Sequence, residues 1–226
     1  MKLFICSLLF STATLAWQKD DVKLPPPDLS HNVRNQPRVI ARPDGTQLQL
    51  PAGFVIEEYL SDFKVPRFML LGPNKELLIS DSAQNGQGCV WVVQGKERKK
   101  LIENLSRPYG LALWKEYLYV GEPTSIKRYK YDSKALTAGS GEEVIAYKDY
   151  GQGHVTRSLL FDRKGEKLYV GVGSRSNVDT GEPADRAAIN RYNPDGSGHE
   201  IFASGTRNPI GLHWFPGTDT LWAAVQ

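Results

Sequence analysis

An all-β fold built from one recurring four-strand unit is what this sequence predicts, and three observations predict it. Apolar residues alternate over short runs, and beyond the first sixteen residues no segment sustains a 3.6-residue apolar period. Glycine, tyrosine and tryptophan occur 21, 10 and 5 times, as in β proteins with many turns. One strand pattern then returns in the same order along the chain.

Taken from the start, Lys2 precedes the apolar or small residues Leu3 to Ala16. That run is short for a bilayer span, so residues 1–16 read as a signal peptide cut after Ala16, which implies a periplasmic or secreted protein. Cys6 lies too early for a lipid-attachment box, and removal of the leader leaves Cys89 as the sole cysteine, which excludes an internal disulfide. Residues 17–50 are polar and interrupted by Pro25, Pro26, Pro27, Pro37 and Pro43, the pattern of a linker and wrapping segment. Regular structure is expected from Pro51 to Gln226.

The repeat begins with a hairpin seen four times: Met69-Leu70-Leu71 to Leu77, Leu111-Ala112-Leu113 to Leu118, Leu159-Leu160-Phe161 to Leu168, and Leu212-His213-Trp214 to Leu221. Three of the turns carry turn residues, Gly72-Pro73-Asn74, Lys164-Gly165 and Pro216-Gly217. The leading leucines of the second strands are 41, 50 and 53 residues apart. In the first three units a third strand follows ("VWVV", "IKRY", "INRY") and then a fourth ("KKLIEN", "EEVIAY", "HEIFAS"). Four short strands at this period are the signature of a β-propeller blade. A β-sandwich would need all four strands to recur in order by accident. Three and a half blades leave strand edges open, so the sequence is expected to be the front part of a longer ring.

In a propeller, the loops that lead into successive first strands converge on one mouth of the central channel. Aligned on the first apolar residue of each strand, His154 and Arg207 share one position, Arg107 and Asn208 the next, and Arg67 and Arg157 a third. The loops between second and third strands add Gln84, Asn85, Arg175 and Asn177, with Gly86, Gly171 and Gly173 expected to let backbone approach a ligand. Clustered arginines call for an anion, above all a carboxylate or phosphate. Beside them His154 should stay neutral and able to accept a proton. Pairing of Arg67 and Arg157 with acids of neighbouring blades is the competing reading. His213 and the tryptophans Trp114, Trp214 and Trp222 read as packing, and His31 and His199 as solvated. A net charge of +3, evenly spread, argues against nucleic acid or membrane binding.

The segments "GHVTRSLLFDRKGEKLYVGVGSRSN" and "GTRNPIGLHWFPGTDTLWAAVQ" resemble the pyrroloquinoline quinone (PQQ)-dependent sugar dehydrogenases, and "LPAGFVIEEYL" resembles the opening of their propeller. The similarity runs from about Leu50 to Gln226 and is nearest the sorbosone and pyranose dehydrogenase branch, related to soluble glucose dehydrogenase. It implies a six-bladed propeller that oxidises a sugar, aldose or sorbosone-like substrate by hydride transfer to PQQ. His154 would then be the general base, and Arg207 and Asn208 would contact the cofactor. Arg67, Arg107 and Arg157 follow as cofactor-binding candidates from repeat position. The family's cofactor-associated calcium ligands would lie beyond residue 226, so residues 17–226 alone are expected to be inactive. An external electron acceptor such as cytochrome c is implied as partner. Gly153 and Pro108-Tyr109 depart from the aspartate and glutamine of soluble glucose dehydrogenase, which favours the sorbosone-like branch. Two alternatives are a calcium-dependent lactonase, which needs converging carboxylates, and a non-catalytic propeller that binds a protein partner.

Overall fold

The computed structural model describes Pro26 and residues 38–177 and 181–226; the expected leader with its cut at Ala16, and His31, lie outside the described residues. The chain divides into two units, Met1–Ile40 and Ala41–Gln226, and the second carries all the described strands. Regular structure starts later than Pro51: the first strand begins at Pro66. Phe54, Val55 and Ile56 form a short apolar run but stay exposed, and among the described residues no strand pairs with them. The following residues are tied to a hairpin edge instead, Lys96 Nζ donating to the Tyr59 carbonyl at 2.7 Å and Arg98 to that of Ser61.

Three four-stranded antiparallel sheets follow in chain order, each with its strands side by side. The first holds β1 (Pro66–Leu71), β2 (Leu77–Asp81), β3 (Gly88–Gln94) and β4 (Glu97–Leu105). The second holds β5 (Leu111–Trp114), β6 (Tyr117–Glu122), β7 (Ser125–Asp132) and β8 (Thr137–Ala146). The third holds β9 (Arg157–Phe161), β10 (Leu168–Val172), β11 (Ala188–Tyr192) and β12 (Glu200–Ser204). A hairpin of β13 (Pro209–Trp214) and β14 (Leu221–Val225) begins a fourth, and no helix occurs among the described residues. These are successive blades of a β-propeller.

The apolar cores lie between blades. Leu78, Val90, Val92 and Ile102 of the first blade meet Leu111, Leu118, Val120 and Tyr129 of the second. Tyr119, Ile126, Ile145 and Tyr147 of the second meet Leu159, Leu168, Val170 and Tyr192 of the third. Each fully buried aliphatic side chain in these layers contributes roughly 1.5–3 kcal/mol. Polar pins cross the same gaps: the Tyr131 hydroxyl donates to buried Glu76 at 2.7 Å, and the Tyr119 hydroxyl to the Pro194 carbonyl at 2.8 Å. Burial and the neighbouring Asp81 push the Cys89 thiol up to about 11, leaving an inert thiol that behaves as a small apolar filler.

Two packing expectations change. His213 is exposed on β13, and Trp222 on β14 is 60% exposed, because that hairpin offers its outer face to no described neighbour. Trp114 and Trp214 do pack between blades, Trp114 stacked on Phe161 and Trp214 edge-on to Tyr169. His199 is exposed yet tied down, with Nε2 2.8 Å from Asn190 Oδ1 and its ring stacked on Tyr192.

The innermost strands form a continuous polar seam. Ser80 Oγ donates to the Tyr109 carbonyl at 2.8 Å, the Gly110 amide to the Arg157 carbonyl at 3.0 Å, and Ser158 Oγ to the Ile210 carbonyl at 2.6 Å. Those carbonyls occupy the same place in three successive blades, so each leading strand is bonded by the blade before it. The approach is close: a Cβ on Gly110 would stand 2.2 Å from the Arg157 carbonyl oxygen, and one on Gly121 at 2.7 Å. Gly110→Ala should therefore destabilise the protein by about 1–3 kcal/mol. Gly139→Ala, whose added carbon would meet Lys130 only at 3.7 Å, should change the urea midpoint little. Equal midpoints for the two variants would contradict the seam.

Candidate functional site

The site grows from the loop that leads into β9. Gly153 has φ +74, and a Cβ there would stand 2.1 Å from the Arg175 carbonyl oxygen, so only glycine fits this bend. The bend delivers the His154 amide to the Ser174 carbonyl at 3.0 Å, and the Ser174 amide donates in turn to the Arg207 carbonyl at 2.8 Å. One residue of the β10–β11 loop thus fixes the two loops that the repeat alignment pairs.

The His154 ring follows from this frame. Nδ1 lies 3.0 Å from both the carbonyl oxygen and Oγ of Ser174. The Ser174 hydroxyl donates to the Ser176 carbonyl at 2.5 Å, so toward His154 its oxygen accepts. The carbonyl can only accept. Both partners therefore require a proton on Nδ1, which leaves the lone pair on Nε2. Nε2 has no hydrogen-bond partner among the described residues. Burial, joined by the charges of Arg207 and Arg186, lowers the imidazole pKa below its usual value, and the hydrogen bond to Ser174 opposes this in part.

Gly173 is the hinge stone of the arrangement. A Cβ at Gly173 would stand 2.4 Å from His154 Cβ and 2.5 Å from Asn208 Oδ1. Gly171 likewise makes room for the Pro209 carbonyl oxygen, at 2.3 Å from the added carbon. Gly171 thus makes room for the neighbouring blade, and Gly173 for His154 and Asn208, a packing reason for both glycines that the sequence expectation lacked. Asn208 is buried, with Oδ1 at 3.5 Å accepting from Thr156 Oγ1 and Nδ2 donating to Gln226 Oε1 at 3.1 Å. Arg207 is partly exposed; it donates to the Asn177 carbonyl and side chain and to the Gln226 carbonyl at 2.8 Å, and no carboxylate pairs with it among the described residues.

The remaining candidates separate. Arg67 and Arg107 line a cavity of about 420 Å³ together with Lys64, Gln84, Val155 and Thr156. Arg157, at the same repeat position as Arg67, is fully buried and does not reach the mouth. Its Nη1 donates to the carbonyls of His154 (3.2 Å) and Thr156 (2.9 Å), and its Nη2 to those of Pro123 (2.6 Å) and Tyr150 (3.0 Å). The guanidinium also lies 5.3 Å from the centre of the Tyr147 ring. Burial lowers its pKa to about 10, which still leaves it charged at neutral pH. A side chain so occupied is a clamp under the His154 loop, which corrects the expectation that it grips an anion.

Sequence reasoning missed Arg186. Buried in the β10–β11 loop, it donates to the Gly173 carbonyl at 3.1 Å and the Gln152 carbonyl at 3.0 Å and covers the Tyr150 ring. It braces the same loop from the other side. The available signal was its place in the loop that also supplies Arg175 and Asn177. Among the described residues no group of three or more His, Cys, Asp or Glu converges.

Arg157→Leu should cost at least ~3 kcal/mol in chemical denaturation, since it orphans several carbonyls at about 1–3 kcal/mol each. Arg207→Gln should raise the His154 pKa in an NMR titration by removing a neighbouring positive charge. A fall, or no change, would contradict the electrostatic reading.

Comparison with known proteins agrees with this architecture. The calcium structure of the Trichoderma reesei protein of Carbohydrate-Active Enzymes Family AA12 superposes with a TM-score of 0.62 at 20% identity, covering 73% of this chain and 47% of that one. The holo form of the pyranose dehydrogenase PQQ domain from Coprinopsis cinerea does so with a TM-score of 0.59 at 18% identity, covering 69% and 42%. An uncharacterized protein of Borreliella burgdorferi is 24% identical over 190 residues, 77% of this chain and 48% of that protein. The chain spans about half the length of these relatives. A family model described as TrAA12-like matches residues 48–225. On that match over most of its length, the chain belongs to the TrAA12-like family.

Proposed function

We propose that this protein contributes to a PQQ-dependent oxidoreductase that oxidises a sugar hydroxyl or hydrated aldehyde, with His154 as general base. The observation that carries this reading is the His154 ring itself: Nδ1 is tied to Ser174, Nε2 has no hydrogen-bond partner among the described residues, and the charge of Arg207 helps to keep the ring neutral. The residues present fit an anionic quinone. Arg207 lacks a carboxylate partner among the described residues, Asn208 is buried, and Gly173 lets Asn208 and His154 pack close together. Arg207 and Asn208 would hold the cofactor, which when bound supplies the two-electron acceptor for hydride leaving the substrate carbon. His154 Nε2 takes the hydroxyl proton as that carbon–hydrogen bond breaks. Ser174 keeps the ring in the accepting tautomer and stabilises the imidazolium through Nδ1–H. Arg157 and Arg186 hold the loop backbone on which the ring rides.

The names of the superposed structures support this substrate class: one is a pyranose dehydrogenase PQQ domain. Within the class, the departures at Gly153 and Pro108-Tyr109 support a sorbosone- or pyranose-type substrate. The apolar stretch Leu3 to Ala16 supports export to the periplasm or outside the cell, where a cytochrome c could accept the electrons. Calcium would accompany the cofactor through ligands outside the described residues.

Full-length protein reconstituted with PQQ and calcium should reduce a redox dye in the presence of aldoses or sorbosone. His154→Ala should lower kcat/KM by about 10²-fold or more. In the wild type kcat/KM should rise with pH as His154 loses its proton, with a midpoint below the usual 6.5 because its pKa is lowered. No dye reduction by reconstituted wild type would reject the enzyme; a fully active His154→Ala would reject the base.

A further inference from the structure

The 420 Å³ cavity beside the His154 loop has a charge pattern that the oxidation itself does not explain. Four separate parts of the chain build it: β1 and the residues just before it with Lys64 and Arg67, the β2–β3 turn with Gln84, the loop before β5 with Arg107, and the loop before β9 with Val155 and Thr156. Three cations face it, and no acidic side chain lines it. Among the described residues no carboxylate pairs with any of the three: Lys64 Nζ donates to Gln87 Oε1 at 3.1 Å, and the Arg67 guanidinium lies 5.4 Å from the Tyr109 ring centre. The buried acids close by are occupied elsewhere: Asp81 accepts from the backbone amides of Lys64 and Val65 at 3.0 and 2.6 Å and from Trp91 Nε1 at 3.2 Å, and Glu122 accepts from the Ser106 amide at 2.7 Å and pairs with Lys127 at 2.8 Å. Like charges around one small space repel, and an anion placed among them relieves that repulsion.

Arg107 adds a second, independent observation. Its backbone is left-handed, with φ +50, a conformation glycine adopts at less cost. Its amide donates to the Ala83 carbonyl at 2.8 Å, which locks this geometry and holds the side chain at the cavity. A costly backbone state that presents a charged side chain to a cavity points to a ligand for that side chain.

The cavity also adjoins the base. Val155 and Thr156 line it and directly follow His154, and Thr156 Oγ1 lies 3.5 Å from Asn208 Oδ1. A volume of 420 Å³ falls in the range of small-molecule sites.

We propose that this cavity seats the carboxylate of an acidic sugar, a uronate, through Arg67 and Arg107, so that the substrate's reactive end faces His154. This deepens the sugar-oxidising reading and rests on it for turnover, though not for binding. The same carboxylate chemistry could come from the cofactor, and the test separates the two sources.

Calorimetric titration of the full-length protein without cofactor would compare D-glucuronate with D-glucose. Glucuronate should bind at least tenfold more tightly, with the advantage shrinking in 1 M salt. Arg67→Gln with Arg107→Gln should weaken glucuronate at least tenfold while leaving glucose and PQQ affinities within twofold. Arg67→Gln alone, at an exposed side chain that cannot upset folding, should weaken glucuronate at least threefold. Equal affinity for the two sugars, or a preference unaffected by both variants, would overturn the proposal. So would a loss of PQQ affinity with glucuronate binding intact, which would assign the cavity to the cofactor. A protein that prefers glucuronate yet reduces no dye would reject the oxidation and leave the acidic-sugar site standing.

Discussion

Everything at the mouth of this propeller depends on how its inner strands approach one another. Each leading strand presents one backbone carbonyl to the blade before it, and a serine hydroxyl or a glycine amide takes it up: Ser80 for Tyr109, Gly110 for Arg157, Ser158 for Ile210. A buried carbonyl left unpaired costs about 1–3 kcal/mol, so these bonds set the spacing between blades as firmly as the apolar layers do. Only small residues permit it. Any larger side chain at Gly110, Gly121 or Gly171 would drive into the backbone of the next blade.

The functional loops are built on that seam. Arg157 carries the seam carbonyl on its main chain and the loop carbonyls on its side chain, so a single residue couples blade spacing to the position of His154. Burying a guanidinium is costly, and four carbonyls together with the Tyr147 ring offset that cost. Arg186 repeats the device on the far side of the loop through Gly173 and Gln152. One of these buried charges, Arg186, also shapes the chemistry. Arg186 and the mouth residue Arg207 add to the effect of burial in keeping the imidazole neutral, and Ser174 directs its one proton inward.

Much of the fold was legible in the sequence because a blade must repeat its constraints. Leu118 and Leu168, which head their second strands, fill the inter-blade layers, and the small residue three places on from the heading leucine, Ser80, Gly121 or Gly171, meets the next blade. The pairing of His154 with Arg207 was legible for the same reason, since equivalent loops end on the same face. Repeat position says nothing of what covers a side chain, however. Arg67 and Arg157 share a place in the pattern, yet the Tyr147 and Tyr150 loop roofs only Arg157, while Arg67 stays exposed. Trp222 looked like core and is exposed for the converse reason, having no described sheet against its face. Arg186 escaped notice because its value lies in two carbonyl bonds from an irregular loop, which no periodicity encodes.

The central claim is that His154 stands neutral with its proton on Nδ1 and a free lone pair on Nε2. Nitrogen-15 NMR of histidine-labelled protein at neutral pH reads this directly, because the two ring nitrogens resonate far apart when only one is protonated. The expected result is a protonated Nδ1 and a bare, pyridine-like Nε2 for His154. A proton on Nε2, or a ring doubly protonated at pH 7, would contradict the site as described.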